Sequence, residues 1–287
     1  MADPTPRPEI LRQPAAAAPT APARPLTLFQ RLAGNEALRK ALIVAALVAL
    51  WQGYAVWNDN PLVFPTFLAT IEAWRDALLD GGLATQTLYS LRLLLQGYAV
   101  GVGLATLLSV LAVRSRLGGE VLDTLTAMFS PLPAIALLPL ALLWFGLGRG
   151  SLIFVLIHSV MWPVSLNMHS GFRGVSPTLR MVGANYGLGG LAYVRLILLP
   201  AAFPSILAGL KIGWAFAWRT LIAAELVFGV SSGSGGLGWF IYANKNTLEI
   251  PSVFAGLLTV ILIGLVVENL IFRTIEHRTV RRWGMQS

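Results

Sequence analysis

Apolar residues run in long blocks along this chain, and charged residues fall almost entirely between them. A helix crossing about 30 Å of hydrocarbon needs roughly 20 apolar residues. Six stretches meet that length: residues 41–58, 93–113, 124–148, 150–172, 206–229 and 250–267, the last extended through 269–272. Within 59–86, Phe67, Ile71, Trp74 and Leu78 recur at helical spacing, with Glu72, Asp76 and Asp80 between them. This predicts an amphipathic helix at the outer interface. The fold expected is therefore an all-α, polytopic membrane bundle of six transmembrane helices.

Composition sharpens the picture. Of 287 residues, 56% are hydrophobic and 12% charged, whereas soluble domains run near one-quarter charged. The absence of cysteine removes disulfides and thiolate chemistry, and the three histidines are too scattered for a metal centre. No phosphate-cradling loop, zinc-protease motif or nucleophile elbow is present, so no catalytic site and no cofactor are expected. The glycine-rich run at 231–236 reads as an outer loop. The first 25 residues hold seven of the 17 prolines. Residues 1–36 are expected to form a disordered cytoplasmic Pro/Ala-rich tail, and 37–287 the membrane domain.

The net charge of +8 is a topology signal. With the N-terminus inside, the inner segments carry fifteen Lys and Arg and the outer segments only three, Arg75, Arg149 and Lys245. Both termini are thus expected in the cytoplasm, and a nucleic-acid partner is disfavoured because no soluble domain is left to present a basic face.

Three features inside the spans carry candidate chemistry. Pro131, Pro133 and Pro139 each remove a backbone donor, which fits a pathway-lining or moving helix, or a static kink packed in the bundle. Arg219 lies about twelve residues, roughly 18 Å, into the fifth span, and Glu225 follows six residues on, about 120° around the axis. Arg219 is either a guide for an anion, half of a structural ion pair or a donor to backbone carbonyls. Lys211 and Glu268, near the inner boundary, are expected to pair. Trp51, Trp57, Trp144, Trp162, Trp239 and Tyr242 are expected to anchor span ends at the interfaces.

The inner segment 171–204 carries Arg173, Arg180 and Arg195, no acid, and a helical pattern interrupted at Gly187-Leu188-Gly189-Gly190. It reads as a docking site for a soluble partner or as a helix lying on lipid. Ala184-Asn185-Tyr186-Gly187, nine residues, then Ile197-Leu198-Leu199-Pro200 resembles the coupling-loop signature of ATP-binding-cassette importer permeases of type I. Met181-Val182-Gly183 stands where that signature has Glu-Ala-Ala. Ser130-Pro131-Leu132-Pro133, Leu137-Leu138-Pro139, Leu143-Trp144-Phe145-Gly146 and Ala224-Glu225 with Gly236-Leu237-Gly238 are similar to the nitrate, sulfonate and taurine branch. The resemblance implies a permease subunit of the bacterial inner membrane, without catalysis of its own, that pairs with a second permease. Cytoplasmic ATPase subunits would bind ATP and dock on Met181, Val182, Gly183, Ala184, Gly187, Ile197, Leu199 and Pro200. A periplasmic binding protein would deliver a small anion or zwitterion. The competing class is a stand-alone secondary transporter or channel, which would need coupling carboxylates or a filter in the spans.

Overall fold

In a computed structural model, residues 36–79, 82–228 and 235–282 are described, and every regular element among them is helical. The expected tail and most of the 231–236 loop lie outside these residues. The chain falls into two units, Met1–Trp51 and Gln52–Ser287. Helix α1 (Glu36–Asn58) begins in the first and ends in the second; all other elements belong to the second.

Helix α2 (Phe67–Leu79) keeps Glu72 and Asp76 exposed and turns Trp74 inward, where its indole N–H donates to Thr259 Oγ1 at 3.0 Å. Helix α3 runs Gly82–Ala112 and α4 runs Arg116–Phe129. A 3₁₀ turn at Ala134–Leu137 leads into α5 (Leu138–Phe145), and α6 spans Arg149–Arg173. Helix α7 (Pro177–Asn185) is a short helix in the segment between two long rods. The next rod climbs from Gly190–Tyr193 through a π-helical stretch at Val194–Leu198 into α8 (Leu199–Phe228). Helix α9 is Leu237–Asn246, and α10 (Ile250–Val266) is prolonged by wide helical turns to Arg281.

Among the described residues five helices are long and apolar enough to span a bilayer, and α4 with α5, bent by 86°, makes a sixth if the pair is one span. The molecule is a helical membrane bundle, with α6 at its centre between α3 and α8. The α3 face toward α6 carries small residues at i, i+4 steps: Gly97, Gly101, Ala105 and Ser109 are all buried. A Cβ on Gly97 would sit 2.6 Å from Leu156 Cβ, and one on Gly101 2.8 Å from Val160 Cβ. Van der Waals contact between helices needs that approach, because lipid offers no hydrophobic drive for helices to associate. Leu94, Leu156, Val160, Val164 and Leu221 fill the space alongside.

Several sequence expectations need correction. The second span begins eleven residues before Leu93, so Arg92, expected to precede the span, is an exposed residue within α3. The third span is two helices meeting at a sharp bend. The fifth does not start near residue 206, since the rod is continuous from Gly190. Pro200 has no N–H to give, and the ladder widens just there: Leu199 N–H reaches back five residues to Val194 O. Lys211 pairs with Glu276 at 2.6 Å, while Glu268 is exposed. The prolongation of α10 beyond the apolar run brings Glu276 alongside.

Candidate functional site

The bend between α4 and α5 is written in two prolines. Ser130 N–H still closes a helical turn onto Thr126 O, and Leu132 N–H reaches Phe129 O at 3.2 Å. Pro131 and Pro133 supply no donors, and Pro133 adopts an extended conformation (φ −60°, ψ 120°). Pro139 behaves differently. It sits in the first turn of α5, where a missing N–H costs nothing, so it starts a helix and does not kink one.

The bend forms one wall of a cavity of about 360 Å³. From α6 come His158, Ser159, Trp162 and Pro163, and from α8 come Phe216, Arg219, Thr220 and Ala223. Trp162 is not an interfacial anchor, as expected, but a wall residue only 6% exposed. Its ring stacks on Phe129 with centroids 5.1 Å apart and planes 11° from parallel. His158 stands edge-on to both rings, at 6.3 Å and 6.1 Å. The indole N–H of Trp162 and both ring nitrogens of His158 have no hydrogen-bond partner among the described residues. The Arg219 guanidinium carbon lies 5.8 Å from the Phe216 ring centroid. Among the described residues no carboxylate lines the cavity, and Arg219 has no ion pair or hydrogen bond. Arg219, Pro131 and Pro133 thus converge on one space, which Pro139 and Glu225 do not line.

Glu225 has a different setting. It is 4% exposed, and Ser90 Oγ donates to its carboxylate, 2.7 Å and 2.8 Å from its two oxygens. Gly238 N–H donates to Oε2 at 2.8 Å, and Leu237 N–H donates to Ser90 Oγ at 2.7 Å. The carboxylate therefore caps the N-terminus of α9, where free N–H groups and the helix dipole favour negative charge. The paired glycines around Leu237 follow from this contact. A Cβ on Gly238 would lie 2.6 Å from Glu225 Cβ and 2.7 Å from Ile222 O, and one on Gly236 would overlap the carboxylate.

At the other end of α6 stands α7. Ser176 caps its N-terminus and Pro177 occupies the first turn. Its C-terminus closes in a Schellman motif: Leu188 N–H bonds to Gly183 O at 3.0 Å and Gly187 N–H to Ala184 O at 2.9 Å. The motif needs a left-handed residue, and Gly187 supplies it with φ +67°.

Two contacts fasten α7 to the bundle. Arg180 reaches back to the last turn of α6, donating through Nη2 to Phe172 O at 2.7 Å and through Nε to Val175 O at 3.1 Å. A cation at that C-terminus also meets the negative end of the helix dipole. Gly183 is buried against the next rod; a Cβ there would stand 3.0 Å from the Tyr193 ring and 3.3 Å from Ile197 Cγ1. The rest of α7 is largely bare: Met181 is 60% and Tyr186 80% exposed, and Leu179, Val182 and Ala184 are also exposed. Ile197 and Leu199, grouped by their motif with the docking residues, are half-buried and pack against the core. Pro200 is exposed.

Sequence reasoning missed Phe129, His158 and Trp162 as cavity residues and Arg180 as the fastening. The i, i+4 spacing of His158 and Trp162, ahead of Pro163, was the available signal for one shared face. Nothing local to Arg180 announces a bond to carbonyls of the preceding helix.

Comparison with known proteins fits this architecture. Residues 97–281 match the family model described as the binding-protein-dependent transport system inner membrane component. The chain is 31% identical over 239 residues to a protein of Methanocaldococcus jannaschii named as an ABC transporter permease, covering 82% of this chain and 88% of that one. It is 28% identical to a Bacillus subtilis protein named as an aliphatic sulfonates transport permease, with 85% and 87% covered. It is also 28% identical to the nitrate import permease of Synechocystis, with 82% and 87% covered. This chain belongs to the binding-protein-dependent transport system inner membrane component family, whose members are permeases of ABC transporters.

Proposed function

We propose that the chain is the transmembrane subunit of an ATP-driven, binding-protein-dependent importer for a small anionic or zwitterionic solute of the sulfonate, taurine or nitrate class. It sits in a bacterial inner membrane with both termini in the cytoplasm. Two copies pair, and each presents α7 to an ATPase subunit that binds the ATP. A binding protein on the outer face delivers the solute. This chain holds no cofactor and performs no catalysis.

One observation carries the reading. A bare-faced helix, α7, is fastened by Arg180 to α6, and the middle of α6 is a wall of the cavity that holds Arg219. A push on α7 is thereby delivered to the cavity along a single helix. ATP shifts the balance of inward- and outward-open states because it binds one of them better. Met181 replaces the acid usual in the signature, so docking rests on the apolar surface of Leu179, Met181, Val182 and Tyr186. The mechanism gives Arg219 the task of drawing an anion into the bend between α4 and α5.

The test is reconstitution in liposomes with the ATPase and binding protein encoded beside it. Uptake of the solute is expected only with ATP and all three components. Uptake by this chain alone, driven by an ion gradient, would replace the importer with a secondary transporter.

A further inference from the structure

We infer that the cavity at the α4–α5 bend is itself a binding site for organic anions with a planar apolar body, the head group meeting Arg219 and the body lying against the Phe129–Trp162 stack. This rests on the proposed transport of anions and adds what the anion looks like and which residues read it.

Charge fixes the head. Arg219 is the cavity's one formal cation, no acid lines the space, and the guanidinium is uncommitted among the described residues. A guanidinium fork matches the oxygens of a carboxylate or sulfonate.

Size and lining fix the body. Inorganic anions of three or four atoms are little larger than water, whose share of liquid volume is roughly 30 Å³. The cavity, at about 360 Å³, would hold about a dozen waters and falls in the range of organic-ligand pockets. Here two rings are stacked 5.1 Å apart and a third ring stands edge-on. Phe216 lies beneath the guanidinium on the facing helix. Such surfaces take a flat ring by stacking and exclude water from it.

The unpaired donors fit the same ligand. Trp162 is more than nine-tenths buried, and its indole N–H lacks a partner among the described residues, as do the nitrogens of His158. A buried unpaired N–H is costly, and a polar substituent on a bound ligand would satisfy it.

The probes are benzenesulfonate, methanesulfonate and nitrate, titrated onto the full chain in lipid nanodiscs. Binding is read by saturation-transfer NMR for the sulfonates and by displacement for nitrate, with empty nanodiscs as the partition control. Stacking a ring adds a factor of about 10–100 in affinity, so benzenesulfonate should bind at least about tenfold more tightly than the other two. Arg219→Gln should weaken benzenesulfonate about tenfold or more. Phe129→Leu should bring benzenesulfonate down to the level of methanesulfonate and leave methanesulfonate unchanged, and Trp162→Leu should do the same if it inserts normally. Equal binding of all three anions, or binding indifferent to Arg219→Gln, overturns the inference. Because this assay contains no ATPase, its failure would leave ATP-driven uptake standing, and the loss of ATP-driven uptake would leave this binding standing.

Discussion

Arg219 and Glu225 lie six residues apart on α8, and their settings are opposite. Glu225 is buried, and its two oxygens take donors from Ser90 and from the N-terminus of α9. Arg219 stands in the wall of a cavity with only the face of Phe216 for company. A charge in a membrane segment is costly, and the two residues meet that cost differently. Glu225 has its lone pairs filled by the fold, so it serves as a latch between α8, α3 and α9. Arg219 has its donors unfilled by the fold, so it is available to a solute. Satisfied intramembrane charge is architecture, and unsatisfied charge beside a cavity is a candidate for function.

Substitutions should separate the two settings by what they damage. Glu225→Ala strips the acceptor from Ser90 and Gly238 and should lower stability by about 3 kcal/mol, seen as a drop in the thermal unfolding midpoint in detergent. A midpoint like that of the unaltered chain would mean the latch is not closed in the membrane. Gly238→Ala forces a Cβ against Glu225 and Ile222 and should cost about 2 kcal/mol in the same measurement.

Arg180→Ala removes charge-assisted bonds at the end of α6 and should cost about 1.5 kcal/mol. Its sharper signature is functional: the ATPase should still co-purify, while solute moved per ATP hydrolysed falls. An unchanged ratio would detach Arg180 from coupling. Gly187→Ala places a side chain at φ +67° and should cost about 1 kcal/mol, with weaker ATPase association. Arg219→Ala should change stability least, by under about 0.5 kcal/mol, because nothing in the fold depends on its guanidinium. Anion uptake should nonetheless fall sharply. If uptake held and stability dropped, Arg219 would belong with Glu225.

Much of the architecture is legible one residue at a time. Each apolar block long enough to span marks a helix, and Pro131-Leu132-Pro133 marks an interruption. The Gly187 signature marks the end of a short helix, since a left-handed turn at that point suits few residues besides glycine. Where reading failed, a partner distant in sequence was decisive. Arg92 seemed to bound a span, yet α3 runs through it. Lys211 was assigned Glu268, the nearer acid in sequence, but Glu276 is brought alongside by helical turns that continue past the apolar run. Trp162 looked like one more aromatic near a span end until Phe129, from another helix, was found stacked on it.

The sequence by itself determined that this chain is a bundle of membrane helices with a short helix closed by a glycine, because length, hydropathy and backbone freedom are properties of local segments. Only the tertiary structure decided which charge is a latch and which faces a cavity, and that Arg180 joins α7 to α6. Hydrogen bonds and stacking depend on atoms a few ångströms apart in space, and Ser90 meets Glu225 across 135 residues of chain.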